Sequence, residues 1–98
     1  GGISEMKRIA SMAETYYVAM SPHGAMGPIQ IVAGAHTMMT VPNFYRLELV
    51  SLWAAAFAAA INPPLDIRDG VLHISDSSGL GIDLNMDYVM AHLDPEFS

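Results

Sequence analysis

The sequence predicts an α/β protein built on parallel strands, and more narrowly a piece of an α/β barrel. Three observations carry this reading. Two stretches of helical period alternate with two short apolar runs, joined by short links. An ionisable residue stands at the C-terminal end of each run: His23 in Ser21-Pro22-His23-Gly24, and Glu48 in Arg46-Leu47-Glu48-Leu49. The ends of successive strands are where an α/β barrel keeps its catalytic residues.

Each element has its own signal. Ser4 suits an N-cap, and Glu5 behind it favours the positive end of a helix. Met6, Ile9, Ala10, Ala13, Tyr16 and Tyr17 follow at helical spacing, with Lys7, Arg8, Ser11 and Glu14 on the other face, so a helix is expected over 4–16. Residues 17–21 read as a strand apolar on both faces, as a covered parallel strand is. Pro22 ends it. A glycine-bearing loop leads to Pro28, which suits the first turn of a second helix carrying Ile29, Val32, Ala33, His36 and Met39 to about residue 40. Val41-Pro42-Asn43 breaks that helix, and 46–49 form the second strand.

After Leu49 the character changes. Residues 51–60 are alanine-rich, with Trp53 and Phe57 one helical turn apart, and read as a weak helix or packed loop closed by Asn62-Pro63-Pro64. Asp69-Gly70 between 65–68 and 71–74 is a hairpin signal, because that pair accepts the positive φ angles of a two-residue primed turn. A short last helix is expected over 87–92.

Composition narrows the function. The 98 residues are 52% hydrophobic and 14% charged, too apolar for disorder and high for a small domain that must solvate its own surface. No apolar run reaches membrane-spanning length. The net charge of −6, with four scattered basic residues, argues against a nucleic-acid partner. Cysteine is absent, so a disulfide framework or thiolate metal site is excluded. With no charged-then-apolar leader at the N-terminus, a cytoplasmic location is expected. The chain opens on Gly1-Gly2 without an initiator methionine, which favours a fragment over a free-standing domain.

His23 and Glu48 are the candidate site. Histidine titrates near neutral pH and can serve as a general base, a metal ligand or a structural group. Glu48 alone reads as a solvated or paired carboxylate; the two together on adjoining strand ends carry more weight. His36 on the apolar stripe of its helix reads as a core histidine. His73 and His92 receive no role, and no two histidines have the spacing of a zinc site. Gly79-Leu80-Gly81 opens no helix and reads as a tight turn rather than a dinucleotide fingerprint. Trp53 and Phe57 read as core, and the eight methionines as fillers of core gaps.

Gly1-Gly2-Ile3-Ser4-Glu5, Ser21-Pro22-His23, Gly27-Pro28-Ile29, Asn43 and Glu48, in this order and spacing, resemble the C-terminal part of the mandelate racemase branch of the enolase superfamily, nearest to its sugar-acid dehydratases of the galactonate dehydratase kind. Asp69-Gly70 and Gly79-Leu80-Gly81-Ile82 resemble the tail of the same enzymes. The resemblance implies a modified (β/α)7β TIM-type barrel with an α+β capping domain. Residues 1–49 would be the last βα units of the barrel, and 50–98 the return segment to the capping domain with a β-hairpin.

The resemblance also implies the chemistry. His23 would be the general base that removes the proton α to the carboxylate of an acid-sugar or 2-hydroxy acid substrate. Glu48 would hydrogen-bond the developing enediolate, a role that needs a protonated carboxyl and hence a pKa raised by burial. Mg2+ would stabilise that intermediate, held by ligands on earlier strands outside these residues. In a dehydratase, loss of the β-hydroxyl then gives a 2-keto-3-deoxy acid. The chain by itself is expected to be inactive, and the full-length protein to be a homo-oligomer. Two other readings stand beside this one: a racemase or epimerase of the same superfamily, and a free-standing associating domain with no catalysis.

Overall fold

A computed structural model describes residues 1–96, and the chain falls into two units, Gly1–Val50 and Ser51 onward. The first opens with α1 (Gly2–Thr15). Its N-cap is Gly1, and no side chain caps it, so Ser4 lies inside the first turn rather than at its edge; Glu5 still supplies the negative charge that the N-terminus favours. The helix ends in a Schellman motif. The Tyr17 N–H donates to the Glu14 carbonyl at 3.0 Å and the Val18 N–H to the Ala13 carbonyl at 2.9 Å, with Tyr17 in the left-handed region at φ 58°. Tyr17 therefore terminates the helix instead of beginning the strand.

Met20 of the first run does pair in parallel, but with Phe44, which lies ahead of the expected second strand: the single bridge is made by the Met20 N–H on the Asn43 carbonyl at 2.8 Å and the Tyr45 N–H on the Met20 carbonyl at 2.9 Å. The longer strands expected over 17–21 and 46–49 do not form. Pro22, the residue that would donate at the next step of a parallel ladder, has no N–H to give. Its carbonyl instead accepts from the Glu48 N–H at 3.4 Å. Nor is the first run covered on both faces, since Val18 and Ala19 are exposed.

Between them, α2 (Pro28–Met38) starts with proline in its first turn and follows Gly27. It buries Ile31, Val32, Gly34, Thr37 and Met38. Ala10 of α1 packs with Met38 and Val41, and Met6 and Met20 close around them. Lys7 Nζ donates to the carbonyl and hydroxyl of Thr40, placing a cation at the negative end of α2. Asn43 ties the layers together: its Nδ2 donates to the carbonyls of Ala10 at 3.1 Å and Val18 at 2.9 Å. Only part of the expected apolar face of α1 is covered, for Ile9 and Tyr16 are exposed.

In the second unit a 3-10 turn, Ser51–Trp53, runs into α3 (Ala54–Ala59). Trp53 and Phe57 meet edge to face at 6.1 Å, but Trp53 is exposed, so the pair is not a buried core. β1 (Ile61–Asn62) pairs antiparallel with β4 (Asp83–Leu84), and Ile61 is the fully buried side chain here. β2 (Asp66–Arg68) and β3 (Val71–His73) form an antiparallel hairpin with Arg68 opposite Val71. Asp69 and Gly70 turn it at φ 52° and 76°. Asn85 caps α4 (Met86–Ala91), accepting from the Tyr88 N–H, while its Nδ2 donates to the Ala59 carbonyl at 2.9 Å. The methionines depart from the core role expected of them: Met38 is buried, whereas Met12, Met26, Met39, Met86 and Met90 are exposed.

Candidate active site

Both candidate residues lie past the bridge on its C-terminal side, and the fold brings them into contact. His23 Nδ1 and Glu48 Oε2 are 2.6 Å apart. The same oxygen accepts the Gly24 N–H at 2.9 Å. Parallel pairing at Met20 and Phe44 aligns the two segments, and the Glu48 N–H on the Pro22 carbonyl draws them together again.

The approach is close enough to require glycine at position 24. A Cβ there would stand 1.9 Å from the Glu48 carbonyl oxygen, well inside any tolerable contact. Gly24 and Pro22 are buried beneath the pair.

Within these residues Glu48 does not have the raised pKa that burial was expected to produce. Its pKa is lowered, first by the Gly24 N–H and then by the hydrogen bond of His23, against a smaller opposing effect of desolvation. Its side chain is 47% exposed, so water solvates the anion and burial cannot force the proton on. An ionised carboxylate only accepts, so His23 Nδ1 carries the hydrogen between them, and in the neutral ring Nε2 then keeps its lone pair. The His23 side chain is 67% exposed, which leaves that nitrogen open to an incoming molecule. The arrangement is a carboxylate–imidazole dyad: a fixed tautomer, a free basic nitrogen, and an anion behind it to stabilise the imidazolium that forms when it takes a proton.

The loop between His23 and α2 is held by a residue that the sequence reading passed over. Gln30 Nε2 donates to the His23 carbonyl at 2.8 Å, and its Oε1 accepts the Met26 N–H at 3.0 Å. A glutamine two residues after Pro28, in the first turn of a helix, is the available signal, since that position commonly reaches back to free backbone groups.

His36 is half-buried on α2, and His73 is exposed in β3. His92 Nδ1 donates to the Tyr88 carbonyl at 2.8 Å and its ring stacks on Tyr88 at 4.0 Å. Gly79 and Gly81 have φ of 66° and 70° and make the tight turn expected of them. An open groove of about 590 Å³ in the first unit is lined by Glu14, Val18, Asn43 and Tyr45 among others, and neither His23 nor Glu48 faces it. Among the described residues no group of three or more metal-ligating side chains could hold a metal ion, so these residues do not fit a magnesium site of their own. No helix among them is long and apolar enough to cross a membrane.

Known proteins resemble this chain in sequence and fold. The profile of the enolase C-terminal domain-like family matches residues 1–88, and the chain belongs to that family. A D-xylonate dehydratase of Haloferax volcanii is 31% identical over 93 residues, covering 95% of this chain and 23% of that protein. A D-galactonate dehydratase family member of Streptomyces bingchenggensis is 32% identical over 87 residues, 87% of this chain and 21% of its own length. The crystal structure of a mandelate racemase/muconate lactonizing enzyme-like protein from Rubrobacter xylanophilus superposes with a TM-score of 0.89 at 31% identity, covering all of this chain and 25% of that one. The chain thus spans about a quarter of the length of these relatives, and the part it matches is α/β, as the strand and helix order predicts.

Proposed function

We propose that the chain is the C-terminal part of a magnesium-dependent sugar-acid dehydratase, with His23 as the base that takes the proton α to the substrate carboxylate. The observation that carries this is the dyad at the C-terminal side of two parallel segments: His23 Nδ1 is tied to Glu48, and Nε2 is free to accept. The dehydratase names of the relatives support the reaction class, though not one particular sugar acid.

His23 Nε2 removes the C2 proton, leaving an enediolate. The C3 hydroxyl then departs as water, taking up the proton held on His23 Nε2, and the enol tautomerises to the 2-keto-3-deoxy acid. Glu48, held ionised, fits the role of fixing the His23 tautomer and stabilising its imidazolium better than that of donating to the enediolate. Magnesium supplies charge stabilisation for the intermediate when bound, and its ligands are assigned outside these residues. Residues 50–98, with their hairpin, are assigned to the return segment of the capping domain. A racemase of the same superfamily shares the first step and draws support from the likeness to a mandelate racemase/muconate lactonizing enzyme-like protein.

The test is turnover by the full-length gene product with magnesium on D-xylonate, D-galactonate, D-gluconate and D-mannonate, with 2-keto-3-deoxy product measured. Dehydration of one of these, abolished in His23→Asn, is the expected result. Exchange of the C2 hydrogen with solvent without loss of water would assign the racemase instead.

A further inference from the structure

Gln30 stands in the first turn of α2, half-buried, with its amide bound at both ends to the loop that carries His23. The orientation of that amide is fixed by chemistry. The His23 carbonyl can only accept and the Met26 N–H can only donate, so the flipped amide would lose both bonds. The two bonds straddle Gly24 and Ala25, and Gly24 gives its N–H to Glu48. A single side chain on a helix therefore sets where both the imidazole and the Gly24 N–H stand relative to the carboxylate.

We propose that Gln30 is a positioning residue for proton abstraction: it clamps the His23 loop to α2 so that Nδ1 stays on Glu48 and Nε2 stays presented to substrate. This rests on the reading of His23 as the base. Gln30 touches no reacting atom; it acts through the His23 backbone. Small displacements of a base cost rate more than affinity, so the expected signature is a fall in kcat with KM nearly unchanged.

The experiment uses the full-length, magnesium-loaded enzyme and two variants. Gln30→Met keeps the length and removes both bonds; Gln30→Glu keeps the acceptor for Met26 and loses the donor to His23. Spectra of 15N-histidine-labelled protein, with the His23 signals identified by their loss in His23→Asn, report which ring nitrogen carries the hydrogen. The wild type should show His23 in one tautomer with hydrogen on Nδ1. Gln30→Met should show mixed tautomers at His23 alone, and kcat should fall about 10- to 100-fold with KM within about threefold. A His23 spectrum and kcat unchanged in Gln30→Met would overturn the proposal. If Gln30→Met does not fold, Gln30→Glu decides: folded with wild-type kcat it overturns the proposal, and folded with kcat down about tenfold it supports it. If the wild type dehydrates and exchanges none of the sugar acids, the catalytic reading fails separately. The His23 spectrum still judges the clamp, unchanged in Gln30→Met against it and mixed in favour.

Discussion

Gly24 is the residue on which the site's geometry turns. Its missing Cβ lets the His23 loop touch the Glu48 backbone, so Gly24→Ala must push the two segments apart. The expected cost is about 1–3 kcal/mol of stability in urea denaturation. Separation of His23 from Glu48 should also lower kcat of the full-length enzyme. Glu48 gives a pH prediction. Its carboxyl titrates below the ordinary 4.5 in the folded chain, so the folded state binds that proton less readily than the unfolded one. The resulting stability is present above pH 4.5 and is lost as pH falls through the lowered value. Melting curves of wild type and Glu48→Gln should therefore differ most near neutrality and converge once the pH has fallen below the lowered value. A gap that stayed constant across this range would show that the ionised carboxylate contributes nothing. Half-exposure of the group keeps the effect modest.

At the scale of elements, the end of α1 is stored strain. Tyr17 is 99% exposed and left-handed, a conformation that costs a residue with a Cβ about 1–2 kcal/mol. Tyr17→Gly removes that cost and loses little packing, while the unfolded chain gains freedom, so a net gain of about 0.5–1 kcal/mol is expected in thermal unfolding. Asn43 does the opposite work, joining α1 and the Val18 backbone through one amide whose Oδ1 is buried and unpartnered among the described residues. Asn43→Ala should destabilise by about 1–3 kcal/mol. Asn43→Asp should be worse than alanine, because it turns an acceptor toward two carbonyls. An aspartate variant as stable as the alanine one would show that Nδ2 is not what holds these segments.

At the scale of the whole chain, apolar surface is the dominant fact. Tyr17, Leu52, Met26 and Met39 are each more than three-quarters exposed. Each parallel segment has a single hydrogen-bonded neighbour among the described residues, leaving an open edge. The 98 residues produced alone should self-associate and bind a hydrophobic dye, as read by light scattering and fluorescence. A cooperative melt in a proven monomer would count against this.

The two helices of the first unit and the hairpin of the second were legible in the sequence because helical period, the Pro28 start and the Asp69-Gly70 turn are local signals. They depend on residues a few positions apart. The candidate pair was legible as well, since a histidine and a glutamate at successive strand ends need only the strand boundaries to be placed. What the pair does to itself was not legible. That the Glu48 pKa is lowered rather than raised follows from the Gly24 N–H and the His23 hydrogen bond, both set by residues brought together across two dozen positions. The same holds for Pro22 limiting the parallel pairing to one bridge, for Tyr17 closing a helix rather than opening a strand, and for Gln30 clamping the loop. Local sequence determined which elements form and where ionisable groups fall along them. Only tertiary structure decided protonation, exposure and ladder length, because each depends on what lies opposite in space.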